Sequence, residues 1–512
     1  MAAQVAELTK IHHFSFPGCD WHGRGVACVT FNLMPTNVGT QDDEIWRLVD
    51  AKRGLLIALS DRIWGMAELA YDEFRSAAEH AAVLEYEGFQ VTRGTAGIPT
   101  ALVGEAGEGR PVIAFLGEFD ALPELSQEAG VVEPRPVAAN RNGHGCGHNL
   151  LGAGALLAAT AVKDYLAERR LPGRVRYYGC PAEEGGAAKG FMVRSGAFDD
   201  VDIAITWHPS SFSGVKDAVS LANTRIDFTF SGRAAHAAAA PHLGRSALDA
   251  VELMNVGVNF MREHMPWQAR VHYALLDAGG IAPNVVQAHA TVRYLIRAGD
   301  LSELNPLVEW VRSIAQGAAL MTQTTVDTRV VSAVSNLVGN EPLERLMHGT
   351  FVRLGPPEFD EEDRALAAMF QATLTPAEIA EAYARAGLPV EPGKTLCDLI
   401  VPLEAPRTGG AGSTDVGDVS WVVPTVQASG ATCAIGTPFH TWQLTAQGKA
   451  AAAHKGMVHA AKVMAGTAVA ALLDPAVIDE AWANLRSRTA DRPYMCPLSA
   501  GVEPALDMSR RP

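Results

Sequence analysis

The chain has 512 residues, 48% hydrophobic, 19% charged and 7% aromatic, with 42 Lys and Arg against 57 Asp and Glu. That length predicts two or three domains, and the apolar share excludes a disordered chain. A formal charge of −15, with no long Lys/Arg block to offset it, argues against a nucleic acid or an acidic membrane as partner.

The opening MAAQVAELTKIHHFSF lacks the basic start and apolar centre of a secretory signal. Residues 1–40, rich in Gly, Pro, His and Cys, read as an irregular arm. From Gln41 to Gly88 the apolar spacing is helical, with a glycine stop in YEGFQV. Strand-like runs then alternate with helices: VIAFLG at 112–117, RVRYYG at 174–179 and DIAITW at 202–207, with the small-residue helix LLGAGALLAATAV after the first. This alternation predicts an α/β domain with a mostly parallel, buried sheet over 41–222.

The pattern changes at residue 223. IDFTFSG reads as a strand, 245–263 as a helix, VHYALLDAG and HATVRYLI as strands, 302–319 as a helix and TTVDTRVV as a strand. The order β-α-β-β-α-β predicts a ferredoxin-like module, residues 223–334, inserted into the first domain. The first domain resumes over 335–512. Within it, 351–392 carries GPPEFDEEDRALA and a TPAEIAEAYARAG helix and reads as an insertion or lid. A Gly-rich segment at 408–418, a strand region and a long Ala-rich helix close the chain. The longest nearly uncharged apolar stretches, 150–162 and 463–473, fall short of the roughly 20 residues of a spanning helix and read as buried helices. Seven cysteines (19, 28, 146, 180, 397, 433 and 496) are odd in number and scattered, which predicts no disulfide framework and a reducing cytoplasm.

Four clusters carry the chemistry. Gly143-His144-Gly145-Cys146-Gly147-His148-Asn149 precedes the buried helix, and a Cys and a His two apart in a glycine-rich turn can converge on a metal. Its competing reading is a buried thiol beside a helix-capping histidine. Pro181-Ala182-Glu183-Glu184-Gly185-Gly186 follows a parallel strand, where open α/β sheets place their ligands. Adjacent side chains diverge, so one carboxylate can bind a cation while the other faces a water; a solvated acidic turn is the alternative. Trp207-His208-Pro209 and Thr437-Pro438-Phe439-His440-Thr441 each supply a histidine. Cys146, His148, Glu184, His208 and His440 together exceed a four-coordinate structural site and suit two metals with open positions, leaving Glu183 over.

With these clusters in this order, the chain resembles an M20-type metallopeptidase or amidohydrolase, in the branch of aminoacylases, indole-acetyl-amino-acid hydrolases and aminobenzoyl-glutamate hydrolases. SGRAAHAAAAPHLGRSALDA and GGIAPNVVQ resemble the inserted lid of that family. The likeness spans about residues 41–475. Asn149, GSTDVGDVSW at 412–421 and the 351–366 insertion stand closest to the B-subunit group of the aminobenzoyl-glutamate hydrolases. Many relatives carry Asp where this chain has Asn149, which is expected to weaken support of the metal-binding turn.

The resemblance implies an amide hydrolase acting on an N-acyl or N-aroyl amino acid. Cys146, His148, Glu184, His208 and His440 would hold two divalent ions, Mn²⁺ or Zn²⁺. Glu183 would be the general base. His236 would reach the neighbouring subunit's site to stabilise the oxyanion, Asn284 would position substrate, and Asp120 in GEFDALP would orient a ligand histidine. Arg293 and Arg297, four apart on a strand, share a face; one of them, Arg297, would bind a substrate carboxylate, against the favoured reading of exposed arginines on a lid sheet. Lys189 and Asp415 are expected to be solvated. A homodimer paired through the inserted module is expected, the alternative being pairing with a related second subunit. Three other readings compete: a cysteine-nucleophile hydrolase using Cys146 with His148, a catalytically silent metal-binding partner subunit, and a hydrolytic deaminase built on the same site.

Overall fold

A computed structural model describes residues 38–137, 141–407 and 412–509. The arm expected over 1–40 therefore lies almost wholly outside the described residues, as does part of the Gly-rich segment at 408–418.

Helices α1 (Val38–Met66) and α2 (Phe74–Tyr86) replace the single helical stretch expected over 41–88. They part where Ala67 and Tyr71 take left-handed backbone angles, at φ 43° and 66°. Then come β1 (Gln90–Arg93), β2 (Leu102–Glu108), β3 (Val112–Glu118), α3 (His148–Arg169), β4 (Gly173–Cys180), α4 (Ala188–Arg194), β5 (Ile203–Ser210) and β6 (Gly214–Val215). A second group follows: β7 (Ala222–Ser231), α5 (Ala247–Met261), β8 (Arg270–Asp277), β9 (His289–Ala298), α6 (Leu301–Thr322) and β10 (Thr325–Val334). The chain ends in α7 (Glu341–Leu354), α8 (Glu361–Gln371), α9 (Pro376–Ala386), α10 (Val416–Val422), β11 (Thr425–Ala431), α11 (Trp442–Gln447), α12 (Ala451–Leu473) and α13 (Pro475–Thr489).

The first sheet has the order β1-β2-β4-β3-β5-β11-β6. Its centre, β4, β3, β5 and β11, is parallel, as expected, and β1, β2 and β6 run antiparallel at the two edges. Every residue of β3 is buried, the signature of a strand covered on both faces. The expected β-α-β-β-α-β order appears on a separate antiparallel sheet, β10-β7-β9-β8, with its own core around Phe228, Tyr294, Met254 and Val311. Helix α9, expected within an insertion or lid, packs with α8 through Phe370 and Tyr383 onto Phe212 and Ala431, at the β6–β11 side of the first sheet.

Helices α3 and α12 are apolar nearly all round, which makes them interior helices. Both are long and apolar enough to cross a membrane, and 83% and 78% of their apolar windows lie buried within the protein. Small residues let α3 come close to the sheet: a Cβ on Gly152 would lie 2.6 Å from the Glu118 carbonyl oxygen. Trp207 on β5 is fully buried, donates from Nε1 to the Leu151 carbonyl at 2.9 Å, and fills the space left by Gly154 and Gly430. Since His208 is the next residue, this indole sets where β5 aims its imidazole. Trp207→Ala is expected to cost about 3–5 kcal/mol, read as a lower urea midpoint with unchanged slope; a loss below 1 kcal/mol would show that the indole is not a structural pin.

Candidate metal centre

The functional side chains gather at the C-terminal edge of the parallel strands, where open α/β sheets bind ligands. β3 ends in Glu118, with Asp120 two residues on; β4 runs into the loop of Glu183 and Glu184; His208 lies within β5; β11 leads on to His440. Cys146 and His148 come from the turn that opens α3. The glycines of that turn are required by space and angle. A Cβ on Gly143 would lie 2.0 Å from the Leu125 carbonyl oxygen, and Gly147 has φ 78°. His440 adopts φ 60°, unusual for a residue with a side chain, and its amide donates to the Gly145 carbonyl at 2.8 Å.

The donor atoms of Cys146, His148 and His208 lie within 4.8 Å of one another, and so do those of Cys146, Glu184 and His440, and of Glu118, His148 and Glu183. Cys146 Sγ is 3.5 Å from His208 Nε2, His440 Nε2 is 3.3 Å from Glu184 Oε1, and His148 Nε2 is 3.3 Å from Glu118 Oε2. Two donors bonded at about 2.1 Å to one tetrahedral ion sit roughly 3.4 Å apart, so these spacings suit shared cations. His148 Nε2 and Glu184 Oε1 are buried without a hydrogen-bond partner among the described residues, a costly state for polar atoms that a cation would relieve. The donor set fits divalent metal.

Around the donors, His148 Nδ1 lies 2.8 Å from Asp120 Oδ1, which leaves Nε2 facing the cluster. The other Asp120 oxygen accepts from the Glu184 amide at 2.9 Å, so one carboxylate orients two donors. Burial, and then the Lys216 charge, holds His208 well below its ordinary pKa and keeps it neutral, the form a metal ligand needs. Burial pushes the Cys146 thiol up, and Glu184 pushes it further, so the thiolate requires a cation in place of its proton. Burial and the neighbouring Glu118 and Glu184 raise Glu183 well above the usual carboxyl range.

Two expectations need correction. Lys189 and Asp415 are not solvated: Lys189 is fully buried, and its Nζ lies 2.6 Å from both Glu118 Oε1 and Asp415 Oδ1. A buried ammonium persists because it is paired. The Asn149 amide donates to Ser60 Oγ at 3.0 Å and the Gly448 carbonyl at 3.1 Å, tying α3 to α1 and the end of α11. Arg293, rather than being exposed with Arg297, is held by Asp227 through bonds of 2.7 and 2.9 Å. Arg297 donates to Ser413 Oγ at 3.2 Å, and the Glu183 charge acts on it.

His236 and Asn284 lie elsewhere, exposed and side by side on the second module, where Ala237 N donates to Asn284 O at 3.0 Å. Glu118 went unread in the sequence although its spacing of two from Asp120 was a signal. Arg225, which donates to the Gly185 carbonyl at 2.9 Å and so fixes the loop of both glutamates, carried none.

The family model of Peptidase family M20/M25/M40 matches residues 114–387. The chain is 47% identical over 476 residues to the B subunit of p-aminobenzoyl-glutamate hydrolase from Escherichia coli (strain K12), covering 90% of this chain and 99% of that one. It is 32% identical over 279 residues to the A subunit of the same organism's p-aminobenzoyl-glutamate hydrolase, covering 51% of this chain and 61% of that one. Among solved structures, an aminobenzoyl-glutamate utilization protein from Klebsiella pneumoniae shares the fold, with a TM-score of 0.52, 18% identity, and 82% of this chain and 97% of that chain covered. A family match over more than half its length, and a relative nearly half identical from end to end, make this chain a hydrolase of the M20/M25/M40 peptidase family.

Proposed function

We propose that the protein hydrolyses the amide bond of an N-aroyl or N-acyl amino acid of the aminobenzoyl-glutamate kind, using two divalent cations, Mn²⁺ or Zn²⁺. The observation that carries this reading is the convergence of Cys146, His148, Glu184, His208 and His440 with Glu183 left beside them. Similarity over nearly the whole chain to one component of an aminobenzoyl-glutamate hydrolase supports the substrate class.

Bound cations would supply Lewis acidity, lowering the pKa of a water from 15.7 towards about 7 and polarising the scissile carbonyl. The chain's own residues handle proton and substrate. Glu183 takes a proton from the attacking water as the C–O bond forms, then gives it to the nitrogen as the C–N bond breaks, releasing acid and amine. Its raised proton affinity suits the second step, since the proton is held until the amine leaves. Arg297 offers a guanidinium to a substrate carboxylate. Asp120 keeps His148 and the Glu184 loop in register. His236, exposed on the second module with Asn284 beside it, is available to a neighbouring subunit's site.

Pairing through the second module is supported by its edge strand β8, where Tyr273, Leu275 and Leu276 are exposed, and by the nearby exposed Trp267 and Phe260. Similarity to both components of an aminobenzoyl-glutamate hydrolase supports the alternative, in which the partner is a related second chain.

Glu183→Ala is expected to lower kcat by about 10²–10⁴-fold with metal content by mass spectrometry unchanged; near-wild-type turnover would reject the general-base role. Cys146→Ser is expected to lose bound metal, and retention of two ions per chain would remove Cys146 from the donor set. Mixing inactive Glu183→Ala and His236→Ala proteins under subunit exchange should restore activity. A mixture as inactive as its parts, with exchange demonstrated by labelled subunits, would place His236 outside the neighbouring site. The substrate assignment itself is tested with p-aminobenzoyl-glutamate and N-acetyl-glutamate in added Mn²⁺ or Zn²⁺, following release of aminobenzoate or acetate. Turnover of neither substrate would overturn it.

A further inference from the structure

Beyond α13 the chain forms no regular helix or strand up to residue 509, yet it is pinned along its length. Leu498 and Ala505 are buried at 2% and 1% exposure. Tyr494 Oη donates to Asp418 Oδ1 at 3.0 Å, and Arg194 Nη1 donates to the Ser499 carbonyl at 2.8 Å. Two ion pairs join this segment to the second module: Arg492 to Asp300, the N-cap of α6, at 2.5 Å, and Asp507 to Arg329 of β10 at 2.6 and 3.1 Å. Ser509 Oγ donates to Asp72 Oδ2 at 2.5 Å, in the loop between α1 and α2.

These contacts bring Met508 against the loop of Glu183 and Glu184. A Cβ on Gly185 would lie 2.8 Å from Met508 Cε, so the thioether packs directly on the backbone that carries Glu183 and Glu184. Met508 and Ser509 also wall a cavity of about 500 Å³ that reaches Glu184 and is lined by Leu69, Ala70, Leu122 and Arg225. This volume is in the range of small-molecule sites. Leu69, Ala70, Leu122 and Met508 give the cavity its apolar surface, while Glu124, Arg141, Asn142 and the Arg225 guanidinium, itself bonded to the Gly185 carbonyl, stand among its walls.

We propose that Met508 is a specificity-determining residue: it forms one wall of the cavity that receives the flat, apolar acyl group of the substrate, and the bulk at position 508 sets the size of acyl group admitted. The unbranched, polarisable methionine suits an aromatic neighbour. This inference rests on the amide-hydrolase reading and adds to it the place of the acyl group. The segment that supplies Met508 lies outside the residues matched to the family.

The test uses the full-length metal-loaded protein and two substitutions, Met508→Trp and Met508→Ala. Binding of p-aminobenzoate, followed by calorimetry, is measured alongside kcat/KM for p-aminobenzoyl-glutamate, 2-naphthoyl-glutamate and N-acetyl-glutamate. Met508→Trp is expected to weaken p-aminobenzoate binding and to lower the ratio of aminobenzoyl to acetyl kcat/KM by about tenfold or more. Met508→Ala is expected to raise the ratio of naphthoyl to aminobenzoyl kcat/KM. Ratios and p-aminobenzoate affinity that stay at wild-type values in both variants, with thermal unfolding showing both folded, would overturn the proposal, as would equal losses on all three substrates. If wild-type protein binds p-aminobenzoate but cleaves none of the amides, the hydrolase reading fails while the cavity is still judged by the binding arm. If wild-type protein does not bind p-aminobenzoate at all, the acyl cavity is rejected.

Discussion

Buried charge has to be neutralised, and that constraint organises this molecule. Glu118, Asp120, Glu183, Glu184 and Asp415 come together at one edge of one sheet, joined by the Cys146 thiol. Lys189 answers two of these carboxylates from within, bridging Glu118 and Asp415. His148 answers Asp120 through Nδ1. Of what remains, Glu184 meets His440 Nε2 at 3.3 Å and Cys146 Sγ meets His208 Nε2 at 3.5 Å. These donors face one another at spacings that suit a shared cation.

The architecture serves that arrangement. Four parallel strands end at the same edge, so residues nearly three hundred positions apart in the chain, Cys146 and His440 among them, become neighbours. Interior helices α3 and α12 hold the strands in place through small residues that permit close approach, and α3 begins at the site itself with His148 as its first residue. The second module reaches the site twice. Arg225 of β7 grips the glutamate loop, and Arg297 of β9 feels the Glu183 charge. A substrate lying over the donors would meet both parts of the protein.

How much of this was legible beforehand depended on whether the signal was local. The strands β3, β4 and β5 and all four strands of the second sheet stood out as apolar or alternating runs, and the order β-α-β-β-α-β followed from them. The donors were legible because each sits in a short motif with unusual composition: a glycine-rich Cys-x-His turn, a doubled glutamate after a strand, a Trp-His-Pro closing a strand and a Pro-Phe-His-Thr turn. The partner of Asn149 was not legible, since its neighbours in sequence are the candidate donors while its side chain reaches Ser60 of α1. Lys189 and Asp415 are 226 residues apart, and only the fold turns two ordinary charged residues into a buried pair. β1 was missed because it is short and exposed, β2 because it is partly exposed and carries two glycines, and α13 because it follows α12 after a single residue and reads as its tail.

His440 shows what it costs to ask one residue for two things. Its backbone is left-handed so that its amide can meet Gly145, and its imidazole is needed beside Glu184. A left-handed angle costs a residue with a Cβ about 1–2 kcal/mol, which glycine would recover. Glycine, though, has no imidazole, and asparagine, which tolerates the angle better than most, has the wrong donor. Backbone relaxation and the contact with Glu184 therefore pull this position in opposite directions, and laboratory selection for heat resistance alone would drift away from histidine here, trading that contact for a more relaxed loop.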